Sequence, residues 1–326
     1  MPDPARCRRR RPRRRRRVEA QVAAGARADA SRRRPLAPAA AGARRTPGRA
    51  AVTPAAGIAD DPLLAVAIRA ARRAAAVIDD AARDLKRLPT HAKSHGDLVS
   101  AADADAENAI IATLRAAFPE HAILGEESGE LMGGATAARG GGCKWLVDPI
   151  DGTVNFLHGY PYYAISLALA QGPRITHAVV LDPVHDELFA AIAGRGATRN
   201  GAALHVSACH ALDEALVGTV FPTRASPKMP GYLTVFNRLL PRCRGMRRAG
   251  ACALDLCYVA AGRLDGFFVM SLSSWDIAAG ALIVEEAGGR IGDFAGGPDY
   301  LRTNELIAAA PGIFGALREA IAAARP

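Results

Sequence analysis

Nine of the ten residues from Arg8 to Arg17 are arginine, and this run decides where a fold can begin. Residues 1–57 hold 17 Arg, no Lys and only three acids, Asp3, Glu19 and Asp29, with almost no large apolar side chains. Like charges repel, and a segment so poor in apolar surface cannot offset the conformational entropy of folding. Residues 1–57 are therefore expected to be a disordered Arg/Ala/Pro-rich extension, and a packed domain must come from the rest of the 326 residues. Three readings of the extension stay open: a basic tail, a stretch translated from upstream of the true start, or an RNA-binding arm. No apolar segment follows the arginines, which argues against a secretory signal.

The formal net charge of +10 belongs to that extension, which carries +14 by itself. The remaining chain has 25 Lys and Arg against 29 Asp and Glu, a net −4. Nucleic acid is thus an expected partner only through the N-terminal tail. Half of all residues are hydrophobic, enough for a sizeable core. No apolar run approaches the roughly 20 residues that span a bilayer, and stretches such as Tyr163 to Ala170 are of strand length, so no membrane partner is expected. The six cysteines form no CxxC and no His falls at zinc-finger spacing, which suits a reducing, cytoplasmic location.

Asp61-Pro62 reads as a helix N-cap followed by proline at N1. Leu64, Ile68, Ala71, Ala75, Ile78, Ala82 and Leu85 then recur every three or four residues, the spacing of one helical face. A second helix is predicted from Ser100, with Ile110, Ile111, Leu114 and Phe118 on one face, to stop at Pro119. Strands are predicted at 122–124, 145–147, 164–170, 178–181 and 188–192, with Asn200-Gly201 a tight turn. Beyond it come strand 216–220, helix 251–261, strand 266–270, helix 277–287, strands 290–294 and 306–309 and a final helix. This is an α/β chain of two layered halves, residues 58–200 and 201–326, meeting near residue 200.

Four acidic clusters sit where strands run into turns: Asp97 to Asp103, Gly125-Glu126-Glu127-Ser128, Trp145 to Thr153, and Ser274-Trp275-Asp276. In the third, an apolar strand is expected to deliver Asp148 to its end, where Pro149 imposes an extended or turn geometry. Asp151 follows three residues on, so both carboxylates can curl around one point, and Gly152-Thr153 is expected to open a helix whose free N–H groups face it. Hard carboxylate oxygens beside backbone donors describe a site for Mg²⁺ and phosphate together. Alone, such a run is more often a tight turn with Asx hydrogen bonds. Asp103 could simply complete a capping box with Ser100, Asp276 could answer a helix dipole, and Glu127 and Lys93 could be solvated.

The run Asp148-Pro-Ile-Asp-Gly-Thr-Val-Asn-Phe does not stand alone. With Gly-Glu-Glu-Ser upstream and Trp-Asp-Ile-Ala-Ala-Gly downstream, it resembles the inositol monophosphatase family. The resemblance continues through Arg247-Arg248-Ala249-Gly250, Asp255, the run Tyr258 to Gly266 and Glu285 to Gly289, and covers about residues 60 to 320 in order. It implies a layered α/β/α/β/α sandwich of the inositol monophosphatase and fructose-1,6-bisphosphatase type. It implies a Mg²⁺-dependent phosphatase that hydrolyses inositol monophosphate, with two or three Mg²⁺ ions and a homodimer. By the same resemblance Glu126, Asp148, Asp151, Asp276 and the carbonyl of Ile150 are metal ligands. Thr153 and its acidic partner Asp103, with Glu126, are the catalytic set, and Gly152, Thr153 and Asp276 bind phosphate or substrate. Lys93 matches a lysine of a flap over the site. One position departs: the family places an inositol-contacting acid seven residues before the Asp of Trp-Asp, and here that residue is Val269. A related substrate, such as histidinol phosphate, a nucleoside monophosphate or another polyol phosphate, therefore stays open, as does a regulatory or RNA-associated protein using the basic tail.

Overall fold

The computed structural model describes residues 58, 60–85, 90–94, 97–133, 142–223 and 226–323. The extension expected at 1–57 lies outside these residues, and the side chain of Lys93 does too. The chain starts with α1 (Pro62–Ala82), whose N-cap Asp61 accepts the N–H groups of Leu63 and Leu64 at 2.9 and 3.1 Å. The hairpin β1 (Thr90–Ser94) and β2 (Asp97–Ser100) leads into α2 (Ala101–Ala117), which ends at Phe118 as Pro119 requires. Then follow β3 (Ala122–Gly125), β4 (Gly129–Leu131), β5 (Cys143–Asp151), the short α3 (Thr153–Leu157), β6 (Ala164–Gln171), β7 (Arg174–Asp182), β8 (Glu187–Ile192), β9 (Gly196–Arg199) and β10 (Ala202–Ala203). The second half contains β11 (Leu216–Val220), α4 (Met229–Leu239), β12 (Gly245–Arg247), α5 (Cys252–Ala260), β13 (Gly266–Met270), α6 (Ser274–Glu286), β14 (Arg290–Gly292), α7 (Tyr300–Thr303), β15 (Glu305–Ala309) and α8 (Pro311–Ala322).

Strands β3 to β10 form an eight-stranded sheet in the order β10-β9-β8-β7-β6-β5-β3-β4, and the rest a five-stranded sheet in the order β12-β11-β13-β15-β14. Helices α1 and α2 cover the outer face of the large sheet, burying Ala70, Ala74, Ile78, Ile110 and Leu114 against Trp145, Leu167 and Val179. The apolar α5 and α6 lie between the sheets, and Leu254, Leu256, Ile277 and Ile283 share one core with Val180, Phe189, Phe267 and Val269. Helices α4 and α8 close the far side over Phe268 and Ile307. The layers therefore run α/β/α/β/α. Only the middle helices have to be apolar on all sides, because they alone face two sheets. None of the described helices is long and apolar enough to cross a membrane.

Several expected elements change at their ends. β5 does not stop at Asp148 but runs to Asp151, with a register shift against β6 between those residues, so Pro149 sits in a bulge. The strand expected over 290–294 stops at Gly292, because the Asp293 carboxylate turns the chain by accepting the Gly297 N–H at 2.8 Å. Asn200 and Gly201, at φ 49° and 79°, make the tight β9–β10 hairpin. Helix α4 and the hairpin β1–β2 lie in segments where no element is expected. For the first helix, Asp61→Ala removes the one carboxylate oxygen that accepts both cap N–H groups, and the contact of Asp61 with His177. A loss of about 1 to 2 kcal/mol in urea unfolding is expected, and an unchanged midpoint would show the cap to be inert.

Candidate metal and phosphate site

Two acids of the site owe their place to the same local device. Ser100 caps α2 and Asp103, at N3, accepts the Ser100 N–H at 2.9 Å and its hydroxyl at 2.6 Å. Ser273 caps α6 and Asp276, again at N3, accepts the Ser273 N–H at 2.7 Å. A capping box pins the carboxylate by one oxygen and leaves the other to face outward. For Asp103 that second oxygen accepts the Thr153 hydroxyl at 3.0 Å, so its cap role and its contact with Thr153 coexist. Thr153 Oγ1 also lies 3.0 Å from the Ile150 carbonyl, which closes the turn around the bulge.

The bulge brings Asp148, Ile150 and Asp151 to one wall. Asp148 is buried and its Oδ1 has no hydrogen-bond partner. Asp151 accepts N–H groups of Cys252 and Ala253 at 3.1 and 2.6 Å, so it sits on the N-terminus of α5. Gly152 holds φ 98°, and a Cβ there would stand 3.1 Å from the Tyr162 carbonyl, so both the turn and the close approach require glycine. Asn155 of α3 donates to the carbonyls of Tyr162 and Ala249 at 2.7 and 2.9 Å, which ties this helix to the loop before α5. Glu126 follows β3, and its N–H donates to the Val147 carbonyl at 3.1 Å, next to Asp148.

Most of these residues, though not Ser100 or Asp103, line one cleft of about 400 Å³. Its floor carries Glu126, Asp148, Ile150, Asp151, Gly152, Thr153 and Asp276, and its mouth is formed by Phe221, Thr223, Arg248, Ser271 and Ser273 among others. Burial, then the neighbouring charges of Glu126, Asp151 and Asp276, push the Asp148 carboxyl well above the usual range. Burial likewise raises Asp276, with Asp151 and Glu126 adding to it. Asp151 is pushed up to about 7 by burial, moderated by its two backbone donors. The carboxyls of Asp148, Glu126, Asp151 and Asp276 lie close enough for each to oppose the ionisation of its neighbours. Among the described residues no three Asp, Glu, His or Cys side chains are already spread as a shell around one point. The donor set nevertheless fits a hard divalent cation: Asp148 and Asp151 are buried, Glu126 and Asp276 half-buried, their charges oppose one another, and one oxygen of Asp148 has no partner, a cost that a cation removes.

Val269 takes no part in the cleft. It is fully buried in β13, paired with Val220 on one side and Leu306 on the other. An acid at this position would enter the apolar core, and the polar groups at the mouth come instead from Thr223, Ser271, Ser273 and Arg248. Arg248 is exposed and stacks over Phe221 at 5.0 Å. Cys252 is buried and also touches the cleft.

A family model described as "Inositol monophosphatase family" matches residues 59–326. A relative from Pseudomonas aeruginosa PAO1, named Nus factor SuhB, is 45% identical over 258 residues, covering 78% of this chain and 94% of the relative. The protein of the same name from Escherichia coli K12 is 41% identical over 256 residues, with coverage of 78% and 94%. Among solved structures, extragenic suppressor protein suhB from Bartonella henselae superposes with a TM-score of 0.76 at 38% identity, covering 80% of this chain and 98% of that one. The inositol monophosphatase from Anabaena (Nostoc) sp. PCC 7120 superposes with a TM-score of 0.71 at 34% identity, with coverage of 81% and 96%.

Proposed function

Because this chain belongs to the inositol monophosphatase family, we propose that it is a Mg²⁺-dependent cytoplasmic phosphatase converting inositol monophosphate to myo-inositol and phosphate. The observation that carries this reading is the convergence of Glu126, Asp148, Asp151 and Asp276, from three separate segments, on one cleft floor beside Thr153. Nothing in the packing requires four acids to meet there, and their burial is costly.

Glu126, Asp148, Asp151, Asp276 and the Ile150 carbonyl would hold the ions, two or three of them by the family resemblance. Bound Mg²⁺ supplies Lewis-acid charge stabilisation and lowers the pKa of water. The chain's own part begins at Thr153. Its hydroxyl proton points to Asp103 or to the Ile150 carbonyl, which leaves an Oγ1 lone pair to accept a hydrogen bond from a water in the cleft and so orient it. Asp103 fixes that orientation, because the Ser100 N–H and hydroxyl hold one of its oxygens and leave the other to the Thr153 hydroxyl. The N–H groups of Gly152 and Thr153 serve the phosphate oxygens, on a turn that Asn155 anchors. Among the described residues no acid lines the mouth, so the hydroxyls of Thr223, Ser271 and Ser273 are the groups available to the alcohol, and a broad polyol preference is expected.

Phosphate release from inositol monophosphate, histidinol phosphate, a nucleoside monophosphate and glycerol phosphate tests the reading. Release is expected with Mg²⁺, should vanish with a chelator and should return on adding Mg²⁺. Full release in the chelator, or none from any substrate, would overturn it. A second reading rests on the name Nus factor SuhB carried by relatives 41% and 45% identical to this chain. A Nus factor role that survives Asp148→Asn would be separable from the cleft.

A further inference from the structure

We infer that Glu107 is a positioning residue for the site, acting through the backbone of the turn that carries Glu126. Glu107 lies on α2 one helical turn beyond Asp103 and is only 2% exposed. It does not line the cleft. Its carboxylate accepts the N–H of Glu127 at 2.9 Å through one oxygen and the N–H of Ser128 at 2.8 Å through the other. These are the two amides immediately after Glu126, and the Glu126 N–H is itself held by the Val147 carbonyl. The backbone on both sides of Glu126 is therefore fixed, by β5 before it and by Glu107 after it.

Gly125 supports the same reading. A Cβ at this position would stand 2.6 Å from the Glu107 carboxyl carbon, closer than any real contact, so glycine leaves the room in which the carboxylate reaches the turn. Two consecutive N–H donors satisfy a buried carboxylate as a nest satisfies an anion. Asp103 and Glu107, four residues apart, then give α2 two tasks on one face. Asp103 holds Thr153, and Glu107 holds the origin of the Glu126 side chain. The inference rests on the proposed reading of Glu126 as a metal ligand.

The test is Mn²⁺ binding to the full chain without substrate, read from the electron paramagnetic resonance signal of free Mn²⁺. In Glu107→Gln one of the two turn amides faces an NH₂ group instead of an acceptor. Its Kd for Mn²⁺ should rise about tenfold, the scale seen when groups that orient metal ligands are altered. Ile110→Val, which removes one buried methyl from the same helix, should keep the wild-type Kd. If Glu107→Gln does not fold, Gly125→Ala, whose Cβ must push the Glu107 carboxylate aside, should give the same rise. An unchanged Kd in the folded variant, or an equal rise in Ile110→Val, would overturn the inference and leave the proposed function standing. A wild-type chain that binds no Mn²⁺ would overturn both.

Discussion

Asp148→Asn should lower phosphate release by on the order of 10³-fold, the scale of removing one preorganised charge from a transition-state site, while making the metal-free protein more stable. The opposing signs follow from one geometry. Asp148 is buried, one of its oxygens has no partner, and burial together with Glu126, Asp151 and Asp276 resists its ionisation. Asparagine keeps the shape and removes the repulsion, so a gain of about 1 to 2 kcal/mol in urea unfolding with chelator is expected, as at other sites where function opposes stability. The wild-type chain should gain about 2.7 kcal/mol when Mg²⁺ is present at a hundred times its Kd, and most of that gain should disappear in the variant. Loss of activity together with loss of stability would instead make Asp148 a structural group. Retained activity would remove it from the ligand set.

What the chain shows before folding is what its neighbours in sequence decide. Asp61-Pro62, Ser100 with Asp103, and Asn200-Gly201 are complete local instructions, and each produces the cap or turn it encodes. The acids of the cleft are legible for a similar reason, since Asp148, Asp151 and Thr153 fall within six residues and Glu126 and Asp276 sit in short, recognisable surroundings. Helix α4 is hidden because Pro230 and Gly231 in its first turn look like a break, although Tyr232, Val235 and Leu239 bury one face at helical spacing. Glu107 is hidden for a deeper reason. Its partners are backbone amides 20 and 21 residues away, and an Ala-rich helix with a glutamate on it looks solvated until β3 is packed beneath it. The amides of Cys252 and Ala253 meet Asp151 across about a hundred residues, and no side-chain pattern announces a backbone donor. Val269 shows the reverse case: a position matched by spacing alone lies in the core, because β13 is buried along its whole length between two neighbouring strands.

Asp255 gives the second large effect, on stability as a function of pH. It sits in the first turn of α5, accepts the Tyr162 hydroxyl at 2.8 Å, and leaves its Oδ2 without a partner. Burial pushes its carboxyl up to about 7, against the opposing pull of the Tyr162 hydrogen bond and the Arg248 charge. The folded value lies above the unfolded one near 3.8, so the native state holds a proton that the unfolded chain releases. Stability contributed by this group is complete below about pH 4 and is lost as pH rises through 7, by up to about 4 kcal/mol for Asp255 alone. Asp148 and Asp276 tilt the metal-free protein the same way, so the informative quantity is the difference between wild type and Asp255→Asn at each pH. The amide cannot ionise, but its NH₂ group gains no certain acceptor, which reduces the benefit. Urea unfolding with chelator should therefore show the variant equal to or slightly below wild type at pH 5 and about 1 to 3 kcal/mol above it at pH 8. The same difference at both pH values would mean that Asp255 is ionised throughout, held by Arg248 and the N-terminus of α5 more strongly than its burial opposes.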